Sequence, residues 1–290
     1  MSKLTNYNSF EGKVLKEIFQ DNLIDPYIAL IVESYIYEEV IIKYYRECWI
    51  MADIYFEEDM IKEKYMTKYG EKEGKYTQYC RNGNKFIENF YIKGKKDGLY
   101  QQWNENGQKC EECYYKDGKK EGLFQSWWSN GKKRFECTYK DGKQNGLIQE
   151  WYENENQETK FNVKDNLIDG IFQEWYENGQ KSKEYTYKDG ELNGLYQDWY
   201  SNGQQLNVSF YIYNKEEGLY QEWFKNGQKE KECTYKDGKL NGLYQAWWEN
   251  GQKEKECTYK NGELEGDYKE WFEDGELISH KIYKDVKMEN

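Results

Sequence analysis

One glycine recurs every 24 residues through most of this 290-residue chain. Nine units follow one another from Gly74 without an insertion, and eight of them carry a tryptophan five residues after the glycine. A fixed period of this length indicates a repeat architecture, in which each unit packs against its neighbours. The repeated positions after Gly74 are Gly98, Gly122, Gly146, Gly170, Gly194, Gly218, Gly242 and Gly266, and Trp103, Trp127, Trp151, Trp175, Trp199, Trp223, Trp247 and Trp271.

Each unit has the pattern of two short strands and two turns. In the unit that begins at Gly218, residues 219–224 and 229–235 are strand-like and Asn226-Gly227 lies between them. Asn-Gly is a strong hairpin signal, because both turn residues are expected to take positive φ. Asp237-Gly238 predicts the second turn, which leads the chain toward the next unit.

The two faces of each predicted hairpin differ in composition. Side chains alternate along a strand, so Leu219, Gln221 and Trp223 share one face, and Tyr220 and Glu222 share the other. Stacked hairpins place like side chains together, which predicts aromatic ladders as the core. The fold class is therefore mainly β: an elongated single-layer antiparallel sheet of nine 24-residue β-hairpin repeats over residues 71–290, with a small α-helical N-terminal cap over residues 1–70.

Two places depart from the repeat. The unit of Gly146 has Glu155 and Asn166 where its sister units have turn glycines. Glu accepts positive φ poorly, so we expect a kink or an altered turn there. In the last unit Lys281 stands at a strand position where other units have Cys, Phe or Tyr, and a charge at such a normally apolar position protects a sheet edge from aggregation. Residues 279–290 are predicted to form the closing edge.

Residues 1–70 lack the repeat and show helical spacing of apolar residues. Asp25-Pro26 is a good helix entry, and further helices are predicted from about Glu39 to Tyr55 and on to Tyr69. We expect a helical cap over the first sheet edge; alternatively, residues 25–32 resemble the opening of an F-box adaptor module. The residues with helical spacing are Val14, Leu15, Ile18 and Phe19, and Ile28, Ile31, Val32, Tyr35 and Ile36.

Composition and charge limit the classes of partner. The net charge is −12, with 37% apolar and 18% aromatic residues. No dense basic field is present, so we expect no nucleic-acid partner and do not favour membrane binding. The most apolar stretch, residues 27–42, is too short to span a bilayer. The start of the chain does not resemble a secretory signal, so we expect a cytoplasmic protein, in the host cytoplasm if viral.

The residues that could suggest chemistry fall into the repeat pattern. Cys110 and Cys113 form a C-x-x-C, but Cys113 shares its repeat position with Cys137 and Phe161, which indicates an apolar filler. The seven cysteines are an odd number and fit a reducing compartment. The single histidine, His280, lies on the last predicted strand and is expected to be solvated. We therefore predict no catalytic residue, no metal and no cofactor, and thus no enzyme.

The repeat pattern resembles that of a known family. Residues 226–229 read Asn-Gly-Gln-Lys, residues 235–238 read Tyr-Lys-Asp-Gly, and residues 241–247 read Asn-Gly-Leu-Tyr-Gln-Ala-Trp. This is similar to the MORN repeat family, in the variant type of bacterial proteins labelled as antitoxins and of large-virus proteins. The resemblance implies a single-layer antiparallel sheet of hairpins that contacts proteins, at times as a membrane-associated scaffold. It implies no catalytic residue.

These observations predict a non-enzymatic scaffold for protein–protein interaction. An antitoxin-like or F-box-like adaptor that neutralises or recruits one specific protein is the alternative, and a membrane-associated scaffold is a further one. The partner is a protein of unknown identity, and the oligomeric state is left open.

Overall fold

The computed structural model describes the backbone of residues 40–45, 49–55 and 61–284, and the side chains of residues 62–284. The helices predicted around Val14 and Ile28, the F-box-like residues 25–32, and residues 285–290 of the closing edge lie outside the described residues. Among the residues that the structure describes, no helix has the length and apolar character to cross a membrane. The chain divides into two compact units, Met1–Glu121 and Gly122–Asn290.

The repeated element is an antiparallel hairpin. In the unit of Gly218, strand Gly218–Trp223 pairs with strand Lys229–Lys236. The register places Leu219 opposite Thr234 and Tyr220 opposite Cys233, with a β-bulge beside Trp223. This confirms the predicted hairpin and the predicted alternation of the two faces.

The first compact unit is an antiparallel sheet. Its long strands pair in chain order, and two-residue strands extend the pairing beside the second turn of each repeat. The strands are β1 (Val40–Tyr45), β2 (Trp49–Tyr55), β3 (Ile61–Lys68), β4 (Glu71–Lys72), β5 (Gly74–Tyr79), β6 (Lys85–Ile92), β7 (Lys95–Lys96), β8 (Gly98–Trp103) and β9 (Lys109–Lys116).

The second compact unit is built in the same way. Its first strand, β10 (Lys119–Trp127), belongs to this unit from Gly122 onward. The other strands are β11 (Lys133–Lys140), β12 (Lys143–Gln144), β13 (Gly146–Trp151), β14 (Gln157–Lys164), β15 (Leu167–Ile168), β16 (Gly170–Trp175), β17 (Lys181–Lys188), β18 (Glu191–Trp199), β19 (Gln205–Ile212), β20 (Lys215–Glu216), β21 (Gly218–Trp223), β22 (Lys229–Lys236), β23 (Lys239–Trp247), β24 (Lys253–Lys260), β25 (Glu263–Trp271) and β26 (Leu277–Tyr283).

The predicted helices from about Glu39 to Tyr55 and on to Tyr69 are wrong wherever the structure describes these residues. Three strands, β1 to β3, occupy this stretch, and β3 pairs with β5. β-branched and aromatic residues are frequent in this stretch, and such residues fit a pleated surface better than a helix. The pairing also satisfies the backbone groups of β5, which would otherwise form a sheet edge.

These strands are a further, degenerate copy of the repeat. Strand β3 lies 24 residues before β6, and Gly70 lies 24 residues before Gly94 with a similar positive φ. At the position of the recurring glycine this copy has Ile50, which is why a search by glycine spacing does not find it. The sheet therefore begins earlier than residue 71.

The Asn-Gly turn differs from the prediction in its backbone. Gly227 has a φ of 87°, but Asn226 is not among the residues with positive φ, so the expectation of two positive φ values is wrong for this turn. The side chain of Asn226 is used twice instead. Its Oδ1 accepts the N–H of Gln228 at 2.9 Å, and its Nδ2 donates to the carbonyl of Glu249 in the next repeat at 3.1 Å. Asn suits this turn because its amide is both acceptor and donor.

The same bond from one repeat to the next recurs along both compact units. In each case the turn asparagine donates to a backbone carbonyl 23 residues later. The other asparagines that make this bond are Asn82, Asn130, Asn154, Asn178, Asn202 and Asn250.

Aromatic side chains next to this turn add a second link between repeats. The hydroxyls of Tyr152 and Tyr176 donate to the carbonyls of the tryptophans 23 residues later, both at 2.8 Å. The indole N–H of Trp128 makes the equivalent bond at 2.9 Å. Each of these donors and acceptors belongs to a different hairpin, so the bonds set the distance between hairpins as well as their register.

The Asp-Gly turn at the opposite end links repeats in the other direction. Asp237 and Gly238 both have positive φ, 52° and 77°, as a two-residue hairpin turn requires. The N–H of Gly238 donates to the carbonyl of Glu216 at 2.9 Å, and the N–H of Asp237 donates to the carboxylate of Glu217 at 2.8 Å. Both acceptors lie in the preceding repeat.

The degenerate turn at Glu155 keeps the geometry of its sister turns. The N–H of Glu155 donates to the carbonyl of Tyr152 at 3.0 Å, as the N–H of Gly227 does to the carbonyl of Phe224 at 2.8 Å. The expected altered turn is therefore wrong: Glu155 adopts the glycine conformation, with a φ of 73°. Bonds to the two neighbouring repeats hold the backbone there although the side chain disfavours it.

The last described strand, β26, pairs with β25. Lys281 lies opposite Tyr268, and its Nζ is 6.0 Å from the centre of that ring. The turn of this last hairpin has Asp274 in place of asparagine, which accepts the N–H of Glu276 at 3.0 Å. A carboxylate has no N–H, so this turn lacks the donor that links the other repeats to the one that follows.

Replacing Glu155 by glycine should stabilise the protein. Glycine adopts the positive φ of this position without strain, so the free energy of unfolding should rise by about 1 kcal/mol in denaturant titration. The exposed ion pair of Glu155 with Lys132 is lost, and such pairs contribute little. Lys132→Gln is the control for that pair. If the free energy of unfolding of Glu155→Gly is equal to or below that of the wild type, the backbone at Glu155 is not strained.

Asn226→Asp should separate the two uses of the turn asparagine. The variant keeps the acceptor for Gln228 and loses the donor to Glu249, so we expect about 0.5–1 kcal/mol of destabilisation in denaturant titration. High salt should be present to screen the added charge. Asn226→Ala, which loses both bonds, should cost more. Equal stability of Asn226→Asp and wild type would show that the link between repeats contributes nothing.

Candidate interaction surface

The two faces of the sheet have different roles, and we name them by their side chains. The aromatic face carries the residues two, fifteen and seventeen positions after each repeat glycine, such as Tyr220, Cys233 and Tyr235. The leucine face carries those one, three and five positions after it, such as Leu219, Gln221 and Trp223. The register of the hairpin places the members of each set on the same side.

The aromatic face is the core. Tyr220 and Tyr235 meet edge to face with ring centroids 6.0 Å apart, and Tyr244 and Tyr259 do so at 5.9 Å. The cysteines beneath these rings are at most 1% exposed. A single sheet thus buries its thiols under its own tyrosines. The buried thiols are Cys113, Cys137, Cys233 and Cys257.

Burial also determines the chemistry of this face. It raises the pKa of the Cys113 and Cys233 thiols to about 11, and the pKa of the Tyr211 and Tyr244 hydroxyls to about 12. These groups are therefore neutral near pH 7, and a neutral thiol is neither a nucleophile nor a good metal ligand.

The cysteines and the histidine that the sequence singled out each have an ordinary structural environment. Cys110 lies in a bulge and donates to the carbonyl of Gln102 at 3.5 Å, whereas Cys113 lies opposite Tyr100. His280 lies 3.1 Å from Asp267, and both are exposed. Within residues 62–284, no three Cys, His, Asp or Glu side chains are grouped so that they could hold a metal ion.

The leucine face is ordered by a repeated charged network. Gln221 donates to the Glu232 carboxylate at 2.7 Å, and Lys229 pairs with the same carboxylate. The Lys229 ammonium also lies 5.6 Å from the ring of Trp247 in the next repeat. A lysine of the preceding repeat lies over four of the repeat tryptophans in this way, Trp103, Trp151, Trp199 and Trp247. The hydrogen bond from Lys229 comes first among the causes that hold the pKa of Glu232 below its ordinary value.

An apolar stripe is exposed beside this network. The residue after each repeat glycine is Leu or Ile through most of the second compact unit, and it is about half exposed. One such side chain per hairpin gives a spacing of about 10 Å, since neighbouring strands are about 4.8 Å apart. The members of this leucine stripe are Leu123, Leu147, Ile171, Leu195, Leu219 and Leu243.

One repeat widens the stripe into a patch. Most repeats of the second compact unit have Thr, Lys and Asp at the positions that here hold Phe210, Ile212 and Tyr213. These three side chains are 43%, 44% and 56% exposed. Leu195 lies directly opposite Phe210, and the pairing of β19 with β21 brings Leu219 beside it. We call Leu195, Phe210, Ile212, Tyr213 and Leu219 the anchor patch. Sequence reasoning missed it, although its departure from the sister repeats was visible.

Acid should weaken the leucine-face network. Glu136, Glu232 and Glu256 have a pKa below 4.5 in the folded protein, first because a lysine hydrogen-bonds each carboxylate. A lowered folded pKa adds stability above pH 4.5, and this stability is lost as the pH falls through the folded pKa. Replacing all three by Gln should cost a few tenths of a kcal/mol each at pH 6 and flatten the pH dependence of unfolding between pH 6 and 3. An unchanged slope would contradict this assignment.

Comparison with known proteins identifies the repeat. The family described as MORN repeat variant matches residues 96–117, 120–141, 168–189, 216–237, 240–261 and 264–285. A search of curated proteins finds no match. MORN repeats are in general repeats through which a protein contacts other proteins or membranes. The matched segments share one register with the hairpins described above, and this chain belongs to the MORN repeat family in its variant form.

Proposed function

We propose that this chain is a non-enzymatic, intracellular scaffold that binds a protein partner through the leucine face of its second compact unit. The observation that carries the proposal is the anchor patch, five large apolar side chains exposed side by side on a surface that is otherwise polar there. Contiguous exposed apolar patches of this kind mark interaction sites on soluble proteins.

The repeat pattern makes the patch informative. At the same register, sister repeats carry Thr138-Tyr139-Lys140-Asp141 and Thr234-Tyr235-Lys236-Asp237, whose middle tyrosine packs in the core. Within this four-residue segment, the repeat of Phe210 keeps the core tyrosine, Tyr211, and changes the positions that face solvent or form the turn. The hairpin does not need these apolar residues, because its sisters fold without them. Folding therefore does not explain why these residues are apolar, whereas binding to a partner would explain it.

The surroundings of the patch suit a binding surface. In the repeats on either side of the patch, lysine, glutamate and glutamine side chains hold one another by hydrogen bonds and ion pairs, so the face that borders the patch is ordered before a partner arrives. An ordered surface loses less conformational entropy on binding. The aromatic face is a less suitable surface, because its tyrosines and cysteines already bury one another.

A triple variant tests the proposal by replacing three anchor-patch residues with those that sister repeats have at the same positions. Phe210→Thr, Ile212→Lys and Tyr213→Asp restore the sister sequence, so the hairpin should fold with stability close to that of the wild type. Loss of the apolar anchors should weaken partner binding about 100-fold, as removal of buried hot-spot residues does. Full-length chain captures the partner from native lysate, and calorimetry then compares wild type and variant against the purified partner.

The matched control is Asn162→Thr. It changes a polar residue at the register position of Phe210 to the residue found in sister repeats, and binding should be unchanged. Undiminished binding of the triple variant, or equal loss in the control, would show that the anchor patch is not the contact. Flotation of the full chain with anionic vesicles would instead support the membrane alternative.

A further inference from the structure

The first compact unit has its own copy of the anchor sequence. Phe-Tyr-Ile occurs at residues 90–92 as it does at 210–212, at the same place in the repeat. Phe90 and Ile92 are 39% and 50% exposed on the leucine face, and Tyr114 in the next hairpin is 54% exposed. Leu99 lies opposite Tyr114. We call Phe90, Ile92, Leu99 and Tyr114 the sister patch.

The backbone beside the sister patch is closely packed. A Cβ on Gly98 would lie 3.3 Å from the Cβ of Phe90, so Phe90 rests against this glycine. Phe90 and Tyr114 occupy equivalent positions in successive hairpins, which are about 10 Å apart. The sister patch is therefore a defined apolar surface about two hairpins wide.

Charge distinguishes the sister patch from the anchor patch. Residues 61–121 carry fourteen Lys and Arg against ten Asp and Glu, a net charge of +4 in a chain whose total is −12. Lys75 lies opposite Phe90, where the anchor patch has Leu195 opposite Phe210. Lys93 follows Ile92 in the turn, and the exposed Lys116 holds the repeat position of Ile92 in the next hairpin. The sister patch thus has a basic border.

The chain itself contains a segment of the complementary character. Residues 1–39 carry three lysines against seven Asp and Glu, a net charge of −4. They also contain the two apolar series with helical spacing that the sequence shows around Val14 to Phe19 and Ile28 to Ile36. Glu17 interrupts the first series and Glu33 the second. An apolar stripe with acidic neighbours fits an apolar patch with a basic border.

The connection is long enough. Residue 39 leads directly into β1, and β1, β2, β3, β5 and β6 pair in succession. The four steps from β1 to the strand of Phe90 amount to about 19 Å. Even a fully helical run of 13 residues spans about 19 Å at 1.5 Å per residue. Residues 10–39 therefore reach the sister patch with length to spare.

We propose that residues 10–39 of this same chain bind the sister patch. Their apolar residues cover Phe90, Ile92 and Tyr114, and their carboxylates meet Lys93 and Lys116. The leucine face of the first compact unit is then occupied by the chain's own N-terminal segment. The equivalent face of the second compact unit is left for the partner.

Site-specific photocrosslinking in the full-length chain tests the contact directly. Tyr114 is replaced by benzoylphenylalanine, and the dilute protein is irradiated and digested for mass spectrometry. We expect crosslinks from position 114 to peptides within residues 10–39 of the same chain. The matched control carries the photoreactive residue at Phe210 and should give no such crosslink. Crosslinks from position 114 only to a second copy, or none to residues 10–39, would overturn the proposal.

Hydrogen exchange of paired variants provides an independent readout. Phe90→Lys with Ile92→Lys should speed the exchange of amides within residues 10–39 at least tenfold. Phe210→Lys with Ile212→Lys, the same change in the second compact unit, should leave those amides unchanged. Slow exchange in strands β16 to β25 verifies folding in both variants. Equal exchange of residues 10–39 in the two variants would overturn the proposal, whichever partner the anchor patch binds.

Discussion

Hydrogen bonds between successive hairpins fix the period of the whole array. The turn asparagine reaches a carbonyl 23 residues later, as Asn226 does with Glu249, and the opposite turn reaches back to the preceding hairpin. Hairpins that make both links are therefore tied at both ends at a set sequence separation. One inserted residue would put the donor and acceptor of the following link out of register. This explains why nine consecutive units keep a spacing of 24 without exception.

A single-layer sheet has no second layer to cover one of its faces, so the side chains of the aromatic face have to bury one another. Tyrosine rings lean on each other and cover a row of small thiols, so that Cys137 and Cys233 are buried although the sheet is one strand layer thick. The same burial raises the pKa of the Cys233 thiol and so keeps it protonated. Packing thus makes the core thiols unreactive. The exposed apolar residues of the leucine face are the feature that a partner could recognise.

The regular part of the fold was predictable from sequence, and the reasons are local. Period-two alternation in residues 219–224 and the Asn226-Gly227 turn specify a hairpin, because both act over a few residues. The strands at residues 40–68 were missed because Ile50 replaces the glycine and because a run such as Val40 to Tyr45 is apolar at helical as well as strand spacing.

Positive φ was wrongly expected for Asn226, because local turn rules do not include the bond that its side chain makes to Glu249, 23 residues later. Which face is buried could not be predicted either: Leu219 and Tyr220 are both apolar, and only packing separates them. The MORN-type repeat indicates an interaction protein from the sequence alone, whereas the anchor patch was found from the exposed fractions of its side chains in the structure.

The links made by the turn asparagines run one way along the chain, from each hairpin to its successor. Asp274, in the final hairpin, can close its own turn but has no N–H to offer onward. The asparagine link uses the same donor and the same kind of acceptor at each junction where it occurs. Duplication or deletion of one 24-residue segment in the gene would therefore bring together a donor and an acceptor that match at the new junction. The number of hairpins, and with it the number of side chains in the leucine stripe, is a quantity that recombination can change in whole steps.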